Sequence, residues 1–150
     1  MSDDDMITVG ESLPAIAWAV PMGRRKVKLM WRDGRTKVVD LTSPLASRRI
    51  FIPLRNDDAL FNALRVSDHG SALEWDGPDL EFSATWLEQL PEAEFTNAEF
   101  REAMERLRLT NEGMAAELEI SRSQVAEYKK DKPIPRHIAH ATRYLLSQAA

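Results

Sequence analysis

The sequence predicts an α+β domain followed by an all-α domain, and three observations carry that prediction. Apolar residues alternate with polar or small ones through the first half of the chain. Beyond residue 94 the apolar spacing changes to three and four, the period of a helix with one buried face. Between the two regimes lies a polar stretch, Pro91-Glu92-Ala93-Glu94, of the kind that separates domains. The expected organisation is an acidic flexible tail over 1–13, a small antiparallel sheet with short helices over 14–91, and a helical domain over 95–150.

Ile16, Trp18 and Val20 alternate with alanines, and Val27, Leu29 and Trp31 alternate with Lys26, Lys28 and Arg32, so both stretches are strands. The second runs into Asp33-Gly34, a signal for a type I′ turn, and returns as TKVVDL, which makes residues 25–41 a hairpin with Trp31 toward the core. Ser43-Pro44 is expected to cap a short helix, and FIPL over 51–54 to resume extended structure. A short helical segment after Asp57-Asp58 leads to ALRVSD, a His69-Gly70 turn and SALEWDG, a second strand pair. Asp76-Gly77-Pro78-Asp79 is a turn, and Ser83 opens a helix that Pro91 ends.

The second half carries three helix starts of one kind. Thr96 with Glu99 forms a capping box and Phe95 with Phe100 a hydrophobic staple, so a helix begins at Asn97 with Ala103, Met104 and Leu107 along its apolar stripe. Thr110 caps a second helix, with Leu109 stapled to Met114 and Ala115 and Leu118 buried. Ser121 with Gln124, and Ile120 with Val125, start a third. Two caps that close together enforce a helix of about two turns, a bend at Glu119-Ile120, and another helix at once. That is helix-turn-helix spacing. One last helix fits over roughly 135–148, after Pro135.

At about 100° per residue, Val125 and Tyr128 fall on one side of the third helix. Arg122, Ser123, Ala126, Glu127 and Lys130 fall on the other, a short-chained basic face of the width a DNA major groove accepts. Overall charge does not argue for this, since the chain is −4. Its distribution does: residues 1–91 hold 11 Lys/Arg against 14 Asp/Glu, whereas 120–150 hold six against two. Screening over roughly 8 Å lets a phosphate backbone respond to the local patch.

Leu109-Thr110, Ala115, Leu118, Ile120-Ser121, Arg122-Ser123 and Val125 together resemble the lambda-repressor/Cro-like family of helix-turn-helix domains, over roughly residues 95–148. The exposed face itself lets Ala126 approach the bases closely and Arg122 donate to guanine, and the resemblance implies base-facing positions for Arg122, Ser123 and Glu127, the last tolerable toward a cytosine amino group. Asn111 stands where the family often has a Gln that supports phosphate and base contacts, and Lys129, Lys130, Lys132 and Arg136 would clamp phosphates. Two departures stand out. Glu119 replaces the Gly usual at the left-handed turn position, at a cost of about 1 kcal/mol, and the family's fifth helix is missing. The competing reading is an αα-hairpin packed on the first domain, with Arg122 and Lys130 merely solvated.

Trp31-x-Asp33-Gly34, Val39-Asp40-Leu41, Phe51-x-Pro53-Leu54 and Leu73-Glu74-Trp75-Asp76-Gly77-Pro78-Asp79-Leu80 make residues 14–91 similar to the bacterial domain of unknown function 2442. Members occur alone or fused to a helix-turn-helix, and an antitoxin-like role with a small protein partner is one implication. Trp31 and Trp75 are expected in the core. The Asp76–Asp79 turn could alternatively show carboxylates to a basic partner.

Composition narrows the remaining classes. Hydrophobic residues at 43% and charged ones at 29% describe a globular chain. The longest apolar stretch, LPAIAWAVPM, is about half a bilayer span. An acidic N-terminus is unlike a secretory or mitochondrial presequence, so the cytoplasm is the expected location. The absence of cysteine excludes disulfides, iron-sulfur clusters, thiolate zinc sites and cysteine nucleophiles. Asp57-Asp58 or Asp76 with Asp79 could pair as acid and base, but no nucleophile, phosphate loop or ligand set accompanies them. His137 and His140 lie three apart without a third ligand. The expectation is therefore a bacterial transcriptional regulator, not an enzyme, without metal or cofactor, binding double-stranded DNA as a homodimer. The alternative is an antitoxin-like interaction module whose DNA binding is autoregulatory or vestigial.

Overall fold

A computed structural model describes residues 13–149; the tail expected over 1–13 lies, but for Leu13, outside them. The chain forms two compact units, Met1–Ala93 and Glu94–Ala150, each with its own apolar core. The first mixes small antiparallel sheets with short helices and the second is helical.

Unit one opens with β1 (Ile16–Pro21), β2 (Lys26–Trp31) and β3 (Thr36–Asp40), an antiparallel meander in that order. Trp31 is buried, as its alternation predicts. The turn after it differs from the expected type I′. Only Gly34 of the Asp33-Gly34 pair has a positive φ (95°), the Gly34 N–H donates to Trp31 O at 2.9 Å, and the Trp31 N–H donates to Arg35 O at 2.9 Å. This is a three-residue loop with a glycine bulge, and the right-handed twist of the flanking strands accepts it as well. A second irregularity separates Ile16 from Trp18 in the register of β1 against β2. It breaks the simple alternation: Ile16 enters the core while Trp18 and Val20 are exposed on the opposite face.

Residues 42–62 are helical almost throughout. They form α1 (Thr42–Ala46), a 3-10 turn (Arg49–Phe51), α2 (Ile52–Asn56) and α3 (Asp58–Asn62). Ser43 does not cap α1, which starts one residue earlier; the Thr42 N–H is taken by Asp40 Oδ1 at 2.9 Å. FIPL is not extended, since Pro53 sits in the first turn of α2, where a missing N–H costs nothing. Asp57 caps α3, accepting from the Leu60 N–H at 3.0 Å.

A second three-stranded antiparallel sheet follows, β4 (Arg65–Val66), β5 (Ala72–Glu74) and β6 (Glu81–Ser83), with the Asp76–Asp79 turn between its last two strands. Strand β6 is one the alternation does not signal. Ser83 caps α4 (Ala84–Glu88) through the Trp86 N–H. The core joins both sheets around Trp75, whose indole N–H donates to Phe61 O at 2.8 Å. Asp76 turns back to Arg65, 2.7 Å away. At the other end, Glu92 Oε2 accepts the Val38 N–H and the Ala93 N–H donates to Val38 O, so the outer edge of β3 is closed by its own chain.

Unit two is α5 (Asn97–Leu107), α6 (Asn111–Leu118), α7 (Arg122–Lys130) and α8 (Arg136–Ala149). Phe100, Met104, Met114, Leu118, Val125, Tyr128 and Ile138 bring one face of each helix into a common core.

Candidate nucleic-acid interface

Both bends of unit two are built alike. At the end of α5 the Leu109 N–H returns to Met104 O at 3.0 Å and the Arg108 N–H to Glu105 O at 3.1 Å. At the end of α6 the Ile120 N–H returns to Ala115 O at 3.0 Å and the Glu119 N–H to Ala116 O at 3.3 Å. These are Schellman closures. Their left-handed residues are Arg108 (φ 56°) and Glu119 (φ 57°), neither a glycine. In each case the next residue, Leu109 or Ile120, packs on the core, and the one after it caps the following helix. One apolar side chain thus closes a helix and staples the next, which keeps each turn to three residues. The apolar residue followed by Ser or Thr is what sequence can register; the left-handed conformation of Arg108 and Glu119 is not.

The caps form as their residues predict. Thr96 Oγ1 accepts the Glu99 N–H, Thr110 Oγ1 the Gly113 N–H and Ser121 Oγ the Gln124 N–H, each at 3.1 Å. Gln124 Oε1 in turn accepts the Ser121 N–H at 3.0 Å, completing the box at the head of α7.

Of α7, Val125 and Tyr128 are buried, with Tyr128 edge-on to Phe100 at 5.8 Å between ring centres. Arg122, Ser123, Ala126, Glu127 and Lys130 are all exposed. The helix is clasped from behind by α5. Asn97 Nδ2 donates to Tyr128 O and Lys132 O, both at 2.8 Å, and Arg101 Nη1 donates to Lys129 O. The carbonyls of Tyr128 and Lys129 in the last turn of α7, and of Lys132 just beyond it, are thereby paired. Neither Asn97 nor Arg101 can be singled out from local pattern, since their partners lie some thirty residues away.

The first turn of α6 meets α7 through two polar contacts. Lys129 Nζ donates to Asn111 Oδ1 at 2.9 Å, and Arg122 Nη1 pairs with Glu112 Oε2 at 3.0 Å. The Glu112 carboxyl is held below its ordinary range, first by a backbone N–H of its own helix turn and then by Arg122. Lys132 Nζ lies 3.2 Å from Glu127 Oε1 and above the Tyr128 ring. Arg136 is exposed at the first residue of α8. Lys130 has no bonded partner among the described residues. Arg122, Asn111, Lys129 and Lys130 are therefore brought to one α6–α7 surface. Glu112, which sequence reasoning passes over, belongs to it too.

No family model matches the chain, and no curated protein does, so the two resemblances carried by its motifs stand as resemblances. Among solved structures it is similar to a crystal structure from Nitrosomonas europaea described as that of a candidate DNA-binding protein. The two are 26% identical over 87% of this chain and 84% of that one, with a TM-score of 0.44. No helix among the described residues is long and apolar enough to cross a membrane, and no group of three or more metal-ligating side chains occurs among them.

Proposed function

We propose that the chain is a sequence-specific double-stranded DNA-binding regulator of transcription, with α7 as the major-groove recognition helix. The observation that carries this reading is the division of α7 into a buried side, Val125 and Tyr128, and an exposed side, Arg122, Ser123, Ala126, Glu127 and Lys130. The exposed side meets a groove about 12 Å wide with short side chains in the middle and cations at both ends. Ala126 permits close approach, Arg122 and Ser123 donate to base edges, and Glu127 accepts from a cytosine amino group once Lys132 turns to phosphate. Asn111, Lys129, Lys130, Lys132 and Arg136 surround that face as phosphate contacts.

Unit two carries nine acidic and nine basic side chains, so net charge does not draw it to DNA. Local arrangement has to do so. One helix reads too few base pairs for useful selectivity. Two copies related by a twofold axis would present two α7 helices about 34 Å apart to a palindromic site.

Selection of bound duplexes from random DNA by the full chain, followed by binding to the selected site at two salt concentrations, tests the reading. A palindromic consensus and affinity that falls steeply with salt are expected. Recovery of no consensus, with affinity indifferent to salt, would overturn it.

A further inference from the structure

The Arg122–Glu112 pair is unusual for a surface meant to meet a polyanion. Both side chains are about two-thirds exposed, 69% and 68%, so in water the pair contributes little to stability. Yet it places a carboxylate in the first turn of α6, beside the start of α7, where it repels any phosphate that approaches. Its geometry suggests what it does instead. Glu112 engages Nη1 of Arg122, and the guanidinium retains its Nε–Nη2 edge, two parallel N–H groups of the spacing that matches guanine O6 and N7. An exposed arginine left alone samples many rotamers and pairs with whichever phosphate is nearest, which strengthens binding to all sequences alike. Tethered at one nitrogen, it keeps its free fork toward the groove. Lys129 and Asn111 brace the same helix turn at 2.9 Å, so the carboxylate is presented from a fixed first turn of α6.

We infer that Glu112 is a positioning and specificity-determining residue of the α6–α7 surface: it holds Arg122 in the orientation that reads a base and keeps it from serving as a phosphate contact. The inference rests on the DNA-binding reading above. It assigns to an acidic side chain, outside the recognition helix, control over what the helix distinguishes. Such a device lowers affinity and raises discrimination, because removing it strengthens the unspecific part of binding while the base contact loses its preorganisation.

The test compares the full-length wild type, Glu112→Ala, Arg122→Ala and the double variant on the duplex selected by the wild type, on single-base-pair variants of it, and on unrelated DNA. Glu112→Ala should bind unrelated DNA roughly threefold to tenfold more tightly, since one repulsive charge is gone. Its preference at the base pair read by Arg122 should fall by about twofold to fivefold, the most that an exposed ion pair supplies. In the Arg122→Ala background the same substitution should leave base preference untouched. Glu112→Gln, which can still accept from Arg122 but carries no charge, should recover part of the preference. Circular dichroism and thermal melting of each variant show whether unit two is intact. If a wild type that selects a site keeps the same base preference when Glu112 is removed, the inference falls and the DNA-binding reading stands. If the wild type selects no site, both fall together.

Discussion

Lys129 Nζ donates to Asn111 Oδ1 at 2.9 Å, tying the last turn of α7 to the first residue of α6. Its neighbour Lys130 is exposed and makes no such bond among the described residues. Two adjacent lysines of the same chemistry are therefore in different situations, and their substitutions should separate. Lys130→Ala should lower DNA affinity evenly across sequences and reduce the slope of log affinity against log salt by about one. Lys129→Ala should do less to the slope, because the bond to Asn111 holds its ammonium against α6, but should release the Asn111 amide and loosen the α6–α7 contact. Binding isotherms at several salt concentrations distinguish the two, and equal slopes for both variants would remove the distinction.

On the proposed reading, base preference turns on Arg122. Its replacement by alanine should cost about 1 to 3 kcal/mol on the selected duplex and relax preference at one position, with little cost on unrelated DNA. Ser123 and Ala126 are exposed on the same face and, on that reading, set how closely the helix approaches DNA. Ala126→Leu should therefore weaken specific binding without unfolding the unit. Fluorescence anisotropy on matched and single-variant duplexes reads both effects.

The two left-handed bends make a stability prediction that does not depend on DNA. Arg108 and Glu119 occupy φ 56° and φ 57°, a region where a Cβ crowds the following carbonyl. Arg108→Gly and Glu119→Gly should each stabilise unit two by up to about 1 kcal/mol, reduced by the greater freedom glycine has in the unfolded chain. Gly70 makes the opposite case. A Cβ there would meet the backbone nitrogen and oxygen of Ile16, so Gly70→Ala should destabilise unit one. Thermal melts would show the first two variants shifted up and the third down.

What the sequence reveals and what it conceals differ by range. Thr96, Thr110, Ser121, Asp57 and Ser83 each cap the helix that follows by accepting an N–H three residues on, a pairing that lies within the local string. The helix over Ile52–Asn56 is not visible in this way, and the one over Thr42–Ala46 shows through Pro44 but with its cap placed at Ser43, where the structure has none. Their terminal carbonyls are satisfied by arginines arriving from elsewhere: Arg55 Nε donates to Leu45 O at 2.6 Å, and Arg25 Nε to Leu54 O at 2.9 Å from across the hairpin. A five-residue helix has little intrinsic stability, so these distant donors decide whether FIPL is helical or extended. The bulge between Ile16 and Trp18 is hidden for a related reason. Alternation in β1 is real, but one irregular step moves Trp18 and Val20 to the face opposite Ile16. In unit two the outward side of α7 is legible because it follows from helical period alone. Glu112, Asn97 and Arg101 are not, because their importance lies in partners ten to some thirty residues distant.

Asn97 offers the sharpest separation of support from recognition. Its Nδ2 bridges Tyr128 O and Lys132 O, both at 2.8 Å, and so fixes where α7 ends and where the chain turns toward α8. Asn97→Ala leaves two carbonyls to water or to nothing, a loss of about 1 to 2 kcal/mol of stability. It touches no group on the exposed face of α7. DNA affinity should therefore fall uniformly as the helix end loosens, while the preferred sequence stays the same. Asn97→Asp should be worse than alanine, since a carboxylate facing two carbonyl oxygens cannot donate to either. Melting curves and selection of bound sites with both variants test this. A changed consensus in either variant would mean that the far end of α7 contributes to reading, and that Asn97 belongs to the interface rather than behind it.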